Sequence, residues 1–143
     1  MATVADVLSE KGSLVHGVEP GTTVFEAIKT MVAANIGSVL VMEEGAITGI
    51  FTERDYLRKV SVEGRSSKTT YVADVMSSPV VVTDSAADID EALALMSDRR
   101  IRHLPVVEDE RVVGVVSIGD LVKHKTLEQA FQIKYLEDYI SGR

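Results

Sequence analysis

Two stretches of the chain lie 65 residues apart, share one pattern, and constrain the fold more than any other feature. Residues 49–57 read GIFTERDYL and residues 114–121 read GVVSIGDL, while VADVL at 4–8 returns as VADVM at 72–76. In each stretch an apolar run ends at a hydroxyl residue, and a carboxylate follows three residues later. These residues are Thr52 with Asp55, and Ser117 with Asp120. The chain is therefore a tandem duplication of one structural unit.

Each repeat contains a segment whose apolar residues recur at i, i+3, i+4 and i+7, which predicts a helix with one face in the core. The apolar positions are Val24, Ala27, Ile28 and Met31 in one repeat and Ile89, Ala92, Leu93 and Met96 in the other. A capping box is predicted at the start of each helix, because side chains there can accept the free N–H groups of the first turn. The paired capping residues are Thr23 with Glu26, and Asp88 with Glu91.

Two strands follow each of these helices. SVLVM at 38–42 and HLPVV at 103–107 come first, then the turns EEG and EDER, then the strands AITGIFT and RVVGVVS. Pro105 lies inside its strand, which predicts an edge position or a strand start because proline cannot donate a ladder hydrogen bond. Each repeat is therefore predicted to contain a strand or turn, a helix, two strands and a second helix. The predicted fold class is α/β (α+β).

The predicted boundaries follow the duplication. The first repeat covers residues 1–60 and the second covers 72–124, whereas the polar stretch 61–71 lacks periodicity and is predicted as a linker. Residues 125–143 form a predicted helical tail. Its apolar residues are Leu127, Phe131, Leu136, Tyr139 and Ile140. We expect this tail to pack on the core or on a second subunit.

Composition and charge exclude several classes of protein. The absence of cysteine excludes disulfides, thiol nucleophiles and thiolate metal sites, and favours a reducing compartment. The net charge of −7 makes nucleic-acid binding a poor hypothesis. The first ten residues lack the features of a secretory signal, and no apolar run is long enough to cross a membrane. We therefore expect a cytoplasmic protein that does not bind membranes.

The sequence offers no catalytic or metal-binding pattern. The three histidines, His16, His103 and His124, lack metal-ligand spacing, and VVSIG is not the G-x-S-x-G motif of hydrolases. Neither a G-x-G-x-x-G loop nor a Walker loop is present. An enzyme is therefore the weakest of the function hypotheses, and no catalytic cofactor or metal is expected.

The two hydroxyl–carboxylate pairs admit two interpretations. Ser/Thr-x-x-Asp where a strand enters a helix is a capping box. Asp reaches back to the N-cap N–H less well than Glu or Gln, so capping is expected to be an incomplete account. A helix N-terminus also suits a phosphate, and a carboxylate can accept two hydrogen bonds from a vicinal diol such as ribose. Sugar and phosphate binding therefore stays open beside capping.

Together the motifs resemble a tandem pair of cystathionine β-synthase (CBS) domains, often called a Bateman module. The resemblance rests on VADVM, the Val/Ile-x-x-Ala-Leu/Ile helix, RIRHLPVV, and GVVSIGD with GIFTERD, and it covers roughly residues 4–124. It implies two β-α-β-β-α repeats packed sheet to sheet with pseudo-twofold symmetry, leaving two clefts. Members of the family bind adenosine compounds in such clefts, namely AMP, ADP, ATP, S-adenosylmethionine and sometimes NAD.

The resemblance also implies roles for the hydroxyl–carboxylate pairs. Asp55 and Asp120 would bind the ribose diol, and Thr52 and Ser117 would lie near the phosphate. The adenine would pack crosswise, against the other repeat. Ser117 and Asp120 would then pair with the adenine-pocket residues Thr22, Ala27, Ile36 and Gly37. Thr52 and Asp55 would pair with Ala92, Ile101, Arg102 and His103.

The repeats differ in their basic residues. Only the second repeat carries Arg102 and His103 after its helix, where a phosphate contact and a surface role are both open. The first repeat carries Arg54 inside its own motif, as a further candidate phosphate ligand or as part of a solvated face. Two unequal pockets are therefore expected.

The sequence thus predicts a regulatory module that senses an adenosine nucleotide and regulates a partner protein or its own assembly. AMP is the first ligand hypothesis, with ADP, ATP, NAD and S-adenosylmethionine as alternatives. The other function hypothesis is a ligand-independent interaction or oligomerisation scaffold with vestigial pockets. In either case we expect a homodimer, and the regulated partner is not encoded in any recognisable motif.

Overall fold

The computed structural model describes residues 2–12 and 14–140, which form two compact units. The central unit is Val15–Val81. The terminal unit combines the N-terminal segment up to Leu14 with the chain from Val82 onward. Each unit therefore contains the opening segment of one repeat and the remaining elements of the other, so that the compact units and the sequence repeats have different boundaries.

The elements follow the order predicted for a duplicated α+β unit, and the fold class is confirmed. In chain order they are α1 (Val4–Lys11), β1 (Gly17–Val18), α2 (Val24–Ala34), β2 (Ser38–Glu43), β3 (Ala46–Thr52), α3 (Glu53–Asp55), β4 (Thr83–Asp84), α4 (Ile89–Arg99), β5 (His103–Glu108), β6 (Arg111–Ser117) and α5 (Ile118–Ile140). A π-helical stretch, Tyr56–Ser61, continues α3, and a 3₁₀ turn, Val72–Asp74, precedes β4.

Each unit contains one three-stranded sheet, in the order β1-β2-β3 in the central unit and β4-β5-β6 in the terminal unit. The short first strand is parallel to the middle strand, which is antiparallel to the third. Each antiparallel pair is a hairpin that brings the first residue of the middle strand opposite the hydroxyl residue that ends the third. Ser38 thus pairs with Thr52, and His103 pairs with Ser117.

Pro105 does not lie where the sequence predicts. It is the third residue of β5, the middle strand of its sheet, so the expectation of an edge position or a strand start is wrong. The physical reason is the shortness of β4, which pairs with β5 only at Val106 and Val107. At Pro105 the register is with Val115 of β6, so the missing N–H interrupts no pairing with β4.

The amphipathic helices are those that the apolar spacing predicts. Their buried residues are Val24, Ala27 and Met31 in α2, and Ile89, Ala92 and Met96 in α4. The Thr23 hydroxyl accepts the N–H of Glu26 at 3.3 Å, and the Asp88 carboxylate accepts that of Glu91 at 3.0 Å. The structure therefore shows the N-cap half of each predicted capping box.

In each sheet, a glycine in the third strand allows the VADVL or VADVM segment to pack closely against it. A Cβ atom on Gly114 would lie 2.6 Å from Cδ2 of Leu8, which belongs to VADVL, and a Cβ atom on Gly49 would overlap Sδ of Met76, which belongs to VADVM. The VADVL segment thus packs on β6 and the VADVM segment on β3. This packing explains why the compact units exchange their opening segments.

The predicted linker is ordered against the start of α2. The carbonyls of Thr70 and Ser67 accept the N–H groups of Val24 and Phe25, both at 2.9 Å, and so satisfy donors that the first turn of a helix leaves free. The predicted tail, in turn, is the second half of α5, which runs unbroken to Ile140. Among the described residues no helix has the length and apolarity needed to cross a membrane.

Candidate functional site

The two Ser/Thr-x-x-Asp motifs form complete capping boxes. Oδ2 of Asp55 accepts the N–H of Thr52 at 3.0 Å, and the Thr52 hydroxyl accepts the N–H of Asp55 at 3.2 Å. The corresponding distances between Asp120 and Ser117 are 2.8 and 3.0 Å. The expectation that Asp reaches poorly is therefore wrong. The N-cap backbone is extended, with φ −120° and ψ 165° at Thr52, and this conformation turns its N–H toward the carboxylate.

The carboxylate of Asp55 is buried and fully hydrogen-bonded within the central unit. Besides the Thr52 N–H, Oδ2 accepts the Thr52 hydroxyl at 3.1 Å. Oδ1 accepts the Ser77 hydroxyl at 2.8 Å and lies 3.1 Å from the Lys59 ammonium. Asp55 is only 6% exposed. Three hydrogen bonds and the ion pair with Lys59 thus engage both oxygens of Asp55.

Asp120 has a different environment, in the terminal unit. Its Oδ2 accepts the Ser117 N–H and lies 2.6 Å from the ammonium of Lys11 at the end of α1. The hydrogen bonds from the Ser117 N–H and from Lys11 both end on Oδ2, and the side chain is 27% exposed. Asp120 therefore presents a carboxylate that a ligand can reach from solvent.

The charges around Asp120 favour its ionised form. Burial alone would raise the pKa of Asp120, but the Lys11 ammonium and the Ser117 N–H and hydroxyl outweigh it. They hold the pKa of this carboxyl below its ordinary value of 3.8. At neutral pH the site therefore presents a carboxylate at the start of a 23-residue helix.

The structure brings two of the predicted basic residues next to Ser117. The carbonyl of Arg102 accepts the N–H of Ile118 at 2.9 Å, and His103 pairs with Ser117 across the β5–β6 hairpin. The Arg102 side chain is exposed. In the central unit Arg54 is exposed within α3, one residue before Asp55.

The residues predicted for the adenine pocket fall into two groups. Ala27 and Ala92 are buried on α2 and α4, whereas four others are half-buried at the ends of these helices, namely Thr22, Ile36, Gly37 and Ile101. The Gly37 carbonyl accepts the N–H of Glu53 at 3.1 Å, so Gly37 lies beside the Thr52 motif of its own unit. The crosswise pairing with the other repeat stays a prediction.

Three residues at these sites have no counterpart in the sequence predictions: Lys59, Ser77 and Lys11. Lys59 follows Asp55 by four residues, a spacing that itself indicates an ion pair on a helix. Ser77 and Lys11 lie far from their carboxylates in sequence, and their contacts depend on the packing of the opening segments. No local sequence pattern could have identified Ser77 or Lys11 as a contact of these carboxylates.

Within residues 2–12 and 14–140, no three His, Asp or Glu side chains converge on a position that could hold a metal ion. The site chemistry of the described residues is therefore that of hydroxyls, carboxylates, backbone N–H groups and basic side chains.

Comparison with known proteins identifies the same duplicated pattern. The family model for the CBS domain matches residues 4–62 and 72–127. The mitochondrial CBS domain-containing protein CBSX3 of Arabidopsis thaliana is 40% identical over 149 residues, which cover 98% of this chain and 72% of the relative.

Solved structures agree with the family match. A protein with CBS domains from Burkholderia ambifaria MC40-6 superposes with a TM-score of 0.85 and 41% identity, covering 90% of this chain and 96% of the other. The CBS domain pair of protein MJ0100 is solved in complex with 5′-methylthioadenosine and S-adenosyl-L-methionine. It has a TM-score of 0.77 and covers 90% and 98% of the two chains, but at 23% identity the likeness concerns the fold alone.

Proposed function

The chain belongs to the CBS domain family, and on that premise we propose that it is a regulatory module that binds an adenosine compound at Ser117 and Asp120. One observation carries this choice of site. Asp120 presents a part-exposed, ionised carboxylate at the start of a long helix. Such a carboxylate can accept hydrogen bonds from a ribose diol, and the helix N-terminus favours a phosphate beside it.

The surroundings of Ser117 support a phosphorylated ligand. The Ser117 hydroxyl and the exposed Arg102 lie at the same end of the hairpin, and His103 pairs with Ser117. AMP is therefore the first ligand to test, followed by ADP, ATP, NAD and S-adenosylmethionine. The complex of MJ0100 supports this class of ligand, because a protein of the same fold holds two adenosine compounds.

Asp55 is left out of this proposal. Its oxygens already accept three hydrogen bonds and contact the Lys59 ammonium, and a ribose could reach this buried carboxylate only by displacing Ser77 or Lys59. In our proposal Thr52 and Asp55 fix the start of α3 and the VADVM segment, and the Ser117–Asp120 motif alone binds ligand.

Calorimetric titration of purified protein with AMP tests the proposal. Asp120→Asn should weaken binding roughly ten- to hundredfold, because a charge-assisted hydrogen bond to the diol is lost. Asp98→Asn is the matched control, since Asp98 is an exposed carboxylate on α4 whose partner is its neighbour Arg99. It should bind as the parent does. Equal affinities for parent and Asp120→Asn would remove the ribose assignment.

A second function is favoured by the exposed apolar side chains of α5, which suit self-association or a partner protein. Thermal unfolding with the five adenosine compounds separates the two functions. A ligand at 100 times its dissociation constant should stabilise the protein by about 2.7 kcal/mol. If none of the five shifts the melting temperature, the ligand-independent scaffold is the better account. A cytoplasmic location and a regulated partner protein remain part of the proposal.

A further inference from the structure

The ammonium of Lys11 already occupies one edge of the proposed ligand site. Its Nζ atom lies 2.6 Å from Oδ2 of Asp120 and donates to the carbonyl of Val115, also at 2.6 Å. Lys11 is the last residue of α1, so a lysine from the N-terminal helix reaches the carboxylate at the start of α5. A ribose diol that donates to both oxygens of Asp120 would need Oδ2, which already accepts the Lys11 ammonium and the Ser117 N–H.

We propose that Lys11 is a built-in competitor for the Ser117–Asp120 site, so that a ligand bound to Asp120 displaces Lys11 and loosens the last turn of α1. This inference rests on the function proposed above and deepens it. Lys11 sets how tightly the site binds its ligand, and α1 reports whether the site is occupied.

The competitor is suited to exchange because solvent reaches its side chain and the carboxylate that it contacts. The Lys11 side chain is 37% exposed, so its ammonium can return to water without crossing the core. Ion pairs that are part-exposed contribute little to stability, since their attraction is weakened by water and by the entropy of the lysine side chain. Asp55 offers the contrast, because its lysine lies four residues along the same chain segment and its carboxylate is buried.

The effect on α1 should be confined to its last turn. Val4, Val7 and Leu8 are buried and anchor the first two turns in the terminal unit. Beyond them, α1 is tied to α5 by Lys11 and by Glu10, whose Oε2 lies 3.2 Å from Nδ1 of His124. Loss of the Lys11 contact therefore leaves the Glu10–His124 contact to hold the final turn.

Titration of a Lys11→Met variant with AMP and with adenosine tests the competition. Methionine keeps an unbranched apolar stem and removes the ammonium, so the variant should bind both ligands about fivefold more tightly than the parent. Lys11→Arg keeps the cation and should bind about as the parent does. The matched control is Lys125→Met, which removes a lysine that pairs with Asp90 at 2.9 Å elsewhere on α5.

The outcomes separate this inference from the proposed function. Tighter binding by Lys11→Met than by the parent supports the inference. Measurable binding by Lys11→Met alone, with none by the parent, supports it as well. Equal or weaker binding by Lys11→Met, with a parent that binds AMP, overturns the inference and leaves the proposed function standing. Failure of both proteins to bind overturns both.

Hydrogen exchange at the end of α1 supplies a second readout. Saturating AMP should speed amide exchange at Glu10, Lys11 and Gly12 in the parent, because the last turn loses a contact. In Lys11→Met these amides should exchange faster before ligand is added and change little afterwards. Slower exchange in the AMP-bound parent would contradict displacement of Lys11.

Discussion

At the scale of single residues, the two aspartates of the duplicated motif differ in what holds them. Both close a capping box, but Asp55 also receives the Ser77 hydroxyl and the Lys59 ammonium in a buried position. Asp120 receives Lys11 at a part-exposed position, where a ligand can reach its carboxylate. The same motif can therefore fix the fold in one unit and be available to a ligand in the other.

We expect Asp55→Asn to destabilise the ligand-free protein by about 3 kcal/mol and Asp120→Asn by about 1 kcal/mol. Two donors contact each oxygen of Asp55, so either orientation of the Asn amide directs its NH₂ group at two donors. In Asp120→Asn the amide oxygen can take the place of Oδ2, which accepts both Lys11 and the Ser117 N–H. Urea unfolding of both variants without ligand measures the difference, and equal losses would contradict it.

The lowered pKa of Asp120 predicts a pH dependence with a definite sign. The folded state holds the carboxyl below its ordinary pKa of 3.8, so ionised Asp120 stabilises the fold at all pH values above about 4. This contribution is lost as the pH falls through the folded-state pKa. The stability margin of the parent over Asp120→Asn, measured by urea unfolding, should shrink between pH 6 and pH 3. A margin that stays constant over this range would show that Asp120 gains no charge-dependent contact on folding.

At the scale of elements, the hairpin turns differ although their strands match. Both central residues of each turn have positive φ: Glu44 and Gly45 in one, Asp109 and Glu110 in the other. A side chain in this left-handed region costs energy that glycine avoids. Glu110→Gly should therefore stabilise the protein by roughly 1 kcal/mol, and Gly45→Ala should destabilise it by a similar amount. Thermal unfolding of the two variants checks both signs, and a destabilising Glu110→Gly would refute the argument.

Local elements could be predicted from the sequence because they depend on local signals. Apolar spacing identified α2 and α4, and Thr23 and Asp88 marked where they begin. The position of Pro105 in its sheet was predicted wrongly, because whether a proline fits a middle strand depends here on the length of the neighbouring strand β4. The two Ser/Thr-x-x-Asp motifs could be predicted from the sequence, but the contacts of their carboxylates could not. Lys11 and Ser77 reach these carboxylates only through tertiary packing.

At the scale of the whole molecule, the exposed apolar side chains of α5 predict a homodimer. Seven of its large side chains are more than half exposed: Leu127, Phe131, Ile133, Tyr135, Leu136, Tyr139 and Ile140. Most helices in proteins are stabilised mainly by packing of an apolar face, and an exposed apolar surface often marks an interface. The exposed residues surround more of the helix than the single apolar stripe expected from the sequence.

Light scattering at tens of micromolar should return the mass of a dimer, and Phe131→Glu should shift it toward the monomer because a charge would be buried in the interface. Ala130→Glu is the matched control. It adds the same charge beside Lys134 and Glu137, on the polar side of the helix given by the turn of 3.6 residues. A parent of monomer mass, or equal effects of the two variants, would contradict an interface at this face.

Synthesis on the ribosome delivers the parts of the terminal unit at very different times. The N–H groups of Val4 and Ala5 donate to the carbonyls of Ala87 and Ser85, so α1 emerges long before its partners are made. The central unit is contiguous from Val15 to Val81 and can close while the later strands are still being translated. During that interval α1 exposes its apolar face, and on a polysome a neighbouring nascent chain can capture it. The order of synthesis thus lets the central unit fold before α1 can dock on its partners in the terminal unit.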